Sequence, residues 1–253
     1  MFVPHPGNDT CSHDQSTLCK CGLVCKFWLW SSRSRLFSTI VLSSCGIHTA
    51  LAVLCAPGST ILPHVRALEI EDCFNRFRLP WLDDVLPKLP QLSALEKLTL
   101  SQFEWDTLTP KAKAYLFSIS RGLKSLILDY MTFTTLDQAL QLISSAPSLE
   151  FLSLGVMYVR NEDIPLTKSN APPIRDIVLG GCNYTSVIIN WLCLSQPTPT
   201  VRKLTFDWVD AVQIPFVSAY IRKLGPHLEH LELGCTPVTY GGEPQGKPVD
   251  SIS

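Results

Sequence analysis

Five side chains capable of metal binding crowd the start of the chain: Cys11, His13, Cys19, Cys21 and Cys25. Thiolate and imidazole are zinc ligands, but a structural zinc site is built from two closely spaced pairs. The run Cys-x-Cys-x-x-x-Cys is not such a pair, and no second pair follows at ribbon distance. Free cysteine otherwise behaves as a small buried apolar residue. No metal is therefore expected, and no other cofactor. Gly241-Gly242-Glu243-Pro244-Gln245-Gly246-Lys247-Pro248 nearly spells a phosphate loop. Pro248 stands where Ser or Thr should hold magnesium, and the residues after it are too few for the required helix. There is no Gly-x-Ser-x-Gly, no dinucleotide Gly-x-Gly-x-x-Gly and no His-Glu-x-x-His. His227 and His230 flank a strand-like segment and read as surface residues. No catalytic residue is named, and the chain is not expected to be an enzyme.

Composition narrows the partners. Lys plus Arg number 21 and Asp plus Glu 22, a formal net charge of −1. This balance gives no electrostatic reason to expect nucleic acid or an acidic membrane. Hydrophobic residues are 46% and charged residues 17%, ample apolar surface for a folded core. Met1–Thr10 lacks a basic region followed by an apolar stretch, so no signal peptide is read. The ten cysteines are then expected to be reduced, and the sequons at Asn8 and Asn183 silent. The most apolar stretch, Ile40–Ala56, is interrupted by Ser43, Ser44, His48 and Thr49 and falls short of the roughly 20 residues of a membrane helix. A cytoplasmic or nuclear location is expected.

The strongest pattern is a repeat. Leucine occurs 37 times, and a motif recurs: apolar, two variable residues, apolar, one variable residue, apolar. Its copies begin at Val65, Leu95, Leu123, Leu149, Ile174, Val201 and Leu228, at intervals of 30, 28, 26, 25, 27 and 27 residues. Each copy ends in the two-residue alternation of a strand with one buried face. Helical segments lie between. Thr109-Pro110 opens one, with Ala112, Leu116 and Ile119 at helical spacing. Thr135 opens another, carrying Leu136, Ala139, Leu140 and Ile143 on one face. A third runs from about Pro215 through Val217, Tyr220, Ile221 and Leu224 to Gly225-Pro226. A strand–turn–helix unit cannot bury both of its own faces, so units must stack. The expected fold is α/β, a curved leucine-rich-repeat solenoid with seven parallel strands on its concave face and helices on its convex face.

The same alternation names the side chains left free on the concave face. Candidates for binding a protein substrate are Lys97, Thr99, Ile127, Asp129, Phe151, Asp176, Lys203, Thr205, Asp207, His230 and Glu232. The outward set as a whole also includes Ala67, Glu69, Glu71, Ser101, Ser125, Ser153, Gly155, Val178, Gly180 and Gly234. Six of these outward residues are acidic and two are lysine, which weakly favours a partner with a basic or mixed patch.

Ahead of the repeats, Leu18, Cys21, Val24, Cys25 and Trp28 fall at helical spacings of three and four, Leu36-Phe37 follow in a further turn, and Thr39–Leu42 is a candidate start of a strand. A segment this short cannot make its own core. The run Leu23-Val24-Cys25-Lys26-Phe27-Trp28, with Leu36-Phe37 eight residues beyond the tryptophan, resembles the second half of an F-box. Ala56–Arg66 resembles the linker between box and repeats in fungal F-box proteins with leucine-rich repeats. That resemblance, over about residues 14 to 235, implies a substrate receptor of a cullin-type ubiquitin ligase: the box docks a Skp-type adaptor and the repeats present a protein substrate. Carried over by position, Leu18, Leu23, Val24, Cys25, Trp28, Leu36 and Phe37 would divide between a small helical core and the adaptor contact, a helix-in-groove mode of binding. The family's box opens with a Leu-Pro-x-Glu-like segment and an apolar helix. Met1–Thr10 reads instead as loop, so the first box helix is expected to be missing. The expected layout is a disordered segment 1–13, a box-like segment 14–45, a linker or cap 46–64, the repeats 65–235 and a disordered tail 236–253. The alternative is a repeat scaffold that binds proteins without a ligase.

Overall fold

The computed structural model describes residue 17 and residues 26–71, 80–161, 170–181 and 184–234. The segments 1–13 and 236–253 expected to be disordered lie outside the described residues. Helix α1 (Lys26–Leu36) leads into strand β1 (Thr39–Leu42) and helix α2 (Ile47–Leu54). Then come β2 (Ala67–Ile70), the short α3 (Pro80–Val85), β3 (Lys97–Ser101) and α4 (Pro110–Ser120). Next are β4 (Ser125–Asp129), β5 (Met131–Phe133), α5 (Leu136–Ser144), β6 (Phe151–Leu154) and β7 (Met157–Val159). The last elements are β8 (Asp176–Leu179), α6 (Thr185–Leu194), β9 (Lys203–Phe206), α7 (Ile214–Leu224) and β10 (His230–Leu233).

Eight strands form one sheet in chain order, β1-β2-β3-β4-β6-β8-β9-β10, and each neighbouring pair is parallel. Parallel neighbours require a crossover, which the intervening helices and turns supply. The register has no stagger, so equivalent positions of the repeat lie side by side. Leu68, Leu98, Leu126, Leu152, Ile177 and Leu204 make one inner row. Leu42, Ile70, Leu100, Leu128, Leu154, Leu179 and Phe206 make a second; all are at most 1% exposed. They share one continuous core with Ala112 and Leu116 of α4, Leu140 of α5, Leu192 of α6 and Tyr220 of α7. Burying each such leucine contributes about 2 kcal/mol.

The sheet has one strand more than the seven read from the repeats. The extra strand, β1, obeys the same motif: Phe37-Ser38-Thr39-Ile40-Val41-Leu42 is apolar, two residues, apolar, one residue, apolar. The alternation is blurred by Val41, which points outward and is 42% exposed. The stretch compared with a linker, Ala56–Arg66, contains a 3₁₀ turn at Leu62–His64. Similar turns, each with proline second, lead toward β3 at Leu86–Lys88 and toward β10 at Gly225–His227.

The three helices expected from the sequence form. Thr109 caps α4, its side chain accepting from Ala112 N. Thr135 precedes α5 without a capping hydrogen bond; the free N–H nearby, that of Thr134, goes to Asp106 at 2.9 Å and to the Gln138 side chain at 3.0 Å. The sequence reading names no helix at α2, α3 or α6: α6 (TSVIINWLCL) is mostly apolar and the other two are short. After β4 the chain turns through Tyr130 at φ 49°, the position Gln102 (φ 65°) occupies after β3. It then adds a second, two-stranded parallel sheet of β5 and β7.

Asp106 clasps adjacent units. Its carboxylate also accepts from the Thr134 hydroxyl, from Gln138 Nε2 at 2.7 Å and from Lys113 Nζ at 3.4 Å. Beside it, Trp105 meets Phe117 edge-on at 5.8 Å and Phe133 at 6.0 Å. Burial alone would push the Asp106 carboxyl up, but the hydrogen bonds from Thr134 and Gln138, with Lys113, outweigh it and hold it below the usual value. A carboxyl held down in the folded state contributes stability above its unfolded pKa of about 3.9, lost as the pH falls through the lower folded value. Asp106→Asn is therefore expected to lower the melting temperature at pH 7. The gap to the parent chain closes in acid, below about pH 4; a pH-independent gap in thermal unfolding would refute the clasp.

Candidate functional site

Opposite the helices, the outward side chains of the sheet stand in rows fixed by the register. The first row runs Thr39, Ala67, Lys97, Ser125, Phe151, Asp176, Lys203, His230, and the second Val41, Glu69, Thr99, Ile127, Ser153, Val178, Thr205, Glu232. At about 4.8 Å between strands, Phe151 lies between Ser125 and Asp176 and diagonal to Ile127 and Val178. These form a partly exposed apolar patch in the middle of the face. Charged groups rim it. Lys97 Nζ pairs with Glu69 Oε1 at 3.3 Å on one side, and Asp176 lies in register with Lys203 on the other. Thr99 and Thr205 carry buried hydroxyls with no hydrogen-bond partner. Thr205 is only 8% exposed, so it supports the face from below. His230 and Glu232 are exposed on β10, 4.0 Å apart.

Two aspartates frame a gap at the C-terminal ends of the strands. Asp129 leans over Gly155, and its Oδ1 accepts from Val156 N at 3.2 Å. Asp207 leans over Gly180 from the other side. A side-chain carbon built at either glycine would collide with the carboxylate. Tyr130, which follows Asp129, and Tyr158 of β7 are 45% and 50% exposed. Sequence reasoning missed these two exposed aromatics, since Tyr130 lies one residue beyond the repeat and Tyr158 lies in the second sheet.

The residues compared with an F-box are only partly described. Leu18, Leu23, Val24 and Cys25 lie outside the described residues. Trp28 lies in the first part of α1, residues 26–30, where only the backbone is described. Leu36 is half-buried, and Phe37 packs against the common core. Phe37 holds the first apolar position of the β1 repeat, equivalent to Val65 or Leu95. Helix α1 is tied to the next unit by Arg33 Nη1, which donates to Thr60 Oγ1 at 2.9 Å. Cys11, His13, Cys19, Cys21, Cys25 and the Gly241–Pro248 run also lie outside the described residues. Among the described residues, no three His, Cys, Asp or Glu side chains gather as metal ligands, and no helix is long and apolar enough to cross a membrane.

The geometry is that of a broad polar face with an apolar centre. No family profile, curated protein or solved structure matches the chain.

The aspartate–glycine fit is testable. Gly155→Ala should displace Asp129 from Val156 N and cost about 1–3 kcal/mol in denaturant unfolding. In a double-mutant cycle Asp129→Ala should relieve most of that cost, a coupling of roughly 1 kcal/mol. Additive effects would mean that the two positions do not touch.

Proposed function

We propose that the chain is a leucine-rich-repeat solenoid that acts as a noncatalytic protein-recognition subunit of an SCF-type cullin ubiquitin ligase. In this reading the open sheet face binds a protein substrate and the N-terminal helical segment docks a Skp-type adaptor. The observation that carries substrate recognition is the central patch of Phe151, Ile127 and Val178 rimmed by Lys97, Asp129, Asp176 and Lys203. An aromatic anchor inside a charged rim is the arrangement from which protein interfaces draw most of their energy. The candidates Thr99, Asp207, His230 and Glu232 lie on the same face, farther from its centre. Support for the adaptor contact comes from the resemblance of Leu23–Trp28 and Leu36-Phe37 to an F-box. The alternative, a repeat scaffold without a ligase, draws its support from Phe37, whose ring is used within the repeat stack.

Mixing the purified full chain with a purified Skp-type adaptor at micromolar concentration should give a one-to-one complex by size exclusion, and Trp28→Ala should abolish it without changing the melting temperature. No complex with the parent chain would eliminate the ligase reading and leave the scaffold. Phe37→Ala separates the roles of the segment. As a repeat-core residue it should cost about 2–4 kcal/mol of stability, measured by denaturant unfolding whether or not an adaptor binds.

A further inference from the structure

The residue just ahead of each strand forms a charged row along the N-terminal edge of the sheet: Arg66, Glu96, Lys124, Glu150, Arg175, Arg202, Glu229. They stand side by side because the backbone carbonyl of each accepts from the N–H of the next, from Glu96 N to Arg66 O at 2.8 Å through to Glu229 N to Arg202 O at 2.8 Å. The sign alternates through the first five and then breaks, with Arg202 following Arg175. Three contacts join opposite neighbours in the row. Arg66 and Lys124 both reach Glu96 Oε1, at 2.8 and 3.4 Å, and Arg202 reaches Glu229 at 3.3 Å. Arg175 is exposed, and its neighbour across the break is another arginine.

Both arginines line a cleft of 690 Å³ together with Pro173, Pro199, Thr198 and Thr200, and no carboxylate lines it among the described residues. The volume suits a small ligand or a few peptide residues, and proline walls are fixed before binding. Two guanidiniums carried on strands about 4.8 Å apart present two planar forks of donors. A carboxylate bridging both forks brings one negative charge against two positive ones, whereas a phosphate dianion balances both and offers three acceptor oxygens. The Arg202–Glu229 contact, with its side chains 54% and 65% exposed, is weak and exchanges at little cost.

We propose that this cleft binds a phosphate monoester, held between Arg175 and Arg202. The group could be carried by a phosphorylated side chain of a protein or by a small organic phosphate. The site is separate from the open face and does not depend on the ligase reading.

Titration calorimetry of the full chain at low salt tests it with four probes: inorganic phosphate, phenyl phosphate, a short peptide with a central phosphothreonine, and the same peptide with glutamate. At least one phosphate ester should bind about tenfold more tightly than the glutamate peptide. A tighter phosphothreonine peptide assigns the source to protein, and a tighter phenyl phosphate to a small molecule. Arg175→Ala and Arg175→Lys should each weaken that binding by about tenfold or more, because lysine keeps the charge but loses the fork. Arg121→Ala, an exposed arginine at the end of α4, should leave it unchanged. The proposal fails if no phosphate ester binds up to about 10 mM, if the glutamate peptide binds as well, or if Arg175→Ala, with an unchanged melting temperature, binds normally.

Discussion

A single backbone contact sets the geometry of the chain. The carbonyl of the residue before each strand accepts two N–H groups from the next unit: Ser38 O from Arg66 and Ala67, Arg66 O from Glu96 and Lys97, and so on to Arg202 O from Glu229 and His230. Repeated at each step, it removes any stagger between strands. Side chains at equivalent positions must then stack in straight rows, whatever their chemistry. An inner row of this kind is favourable only if it is apolar, since each leucine is walled by the leucines before and behind it. The end of the stack illustrates the cost of lacking a neighbour. Leu231 and Leu233 occupy the same inner rows but are 40% and 49% exposed.

This constraint explains which features could be read from the sequence. The inner rows impose a motif on every unit, so the seven strands and their order were legible from spacing alone. The helices were legible only where a cap or stop residue marked them, at Thr109-Pro110, Thr135 and Gly225. Helix α6 is apolar on its buried side and mostly apolar on its outer one: Ile188, Ile189, Trp191 and Leu192 are at most 4% exposed, while Leu194 is 60% exposed. Periodicity cannot separate such a helix from a buried strand. Strand β1 was legible as a candidate strand at Thr39–Leu42, but not as an eighth copy of the repeat. Its outward Val41 breaks the alternation, and its first apolar residue, Phe37, also fits the F-box pattern. Two descriptions competed for one ring, and the core packing of Phe37 supports its place in the repeat.

The outward rows obey weaker rules, because a side chain facing solvent contributes little to the stack. Phe151 and Ile127 were therefore placed correctly on the open face from alternation, while their joint patch needed the cross-strand register. Depth was the harder quantity. Thr205 alternates outward like its neighbours yet is almost closed over, and the fit of Asp129 and Asp207 above Gly155 and Gly180 depends on contacts between units that no single repeat records. The exposed Tyr130 and Tyr158 lie beyond the motif altogether.

Stacking also explains why the N-terminal edge can carry information of its own. A row of charges about 4.8 Å apart is most comfortable when signs alternate, because like neighbours repel and opposite ones pair. From Arg66 to Arg175 that preference is met. At Arg202 it is not, and the two arginines border a cleft rather than a flat surface. Within a row whose backbone is fixed by the sheet, neither residue can retreat by shifting register, because a shift of one position would turn Leu204 and Phe206 out of the core. The paired positive charge is therefore held in place by the burial of side chains on the next two turns of the alternation, and an anion between the two guanidiniums relieves it without moving the sheet.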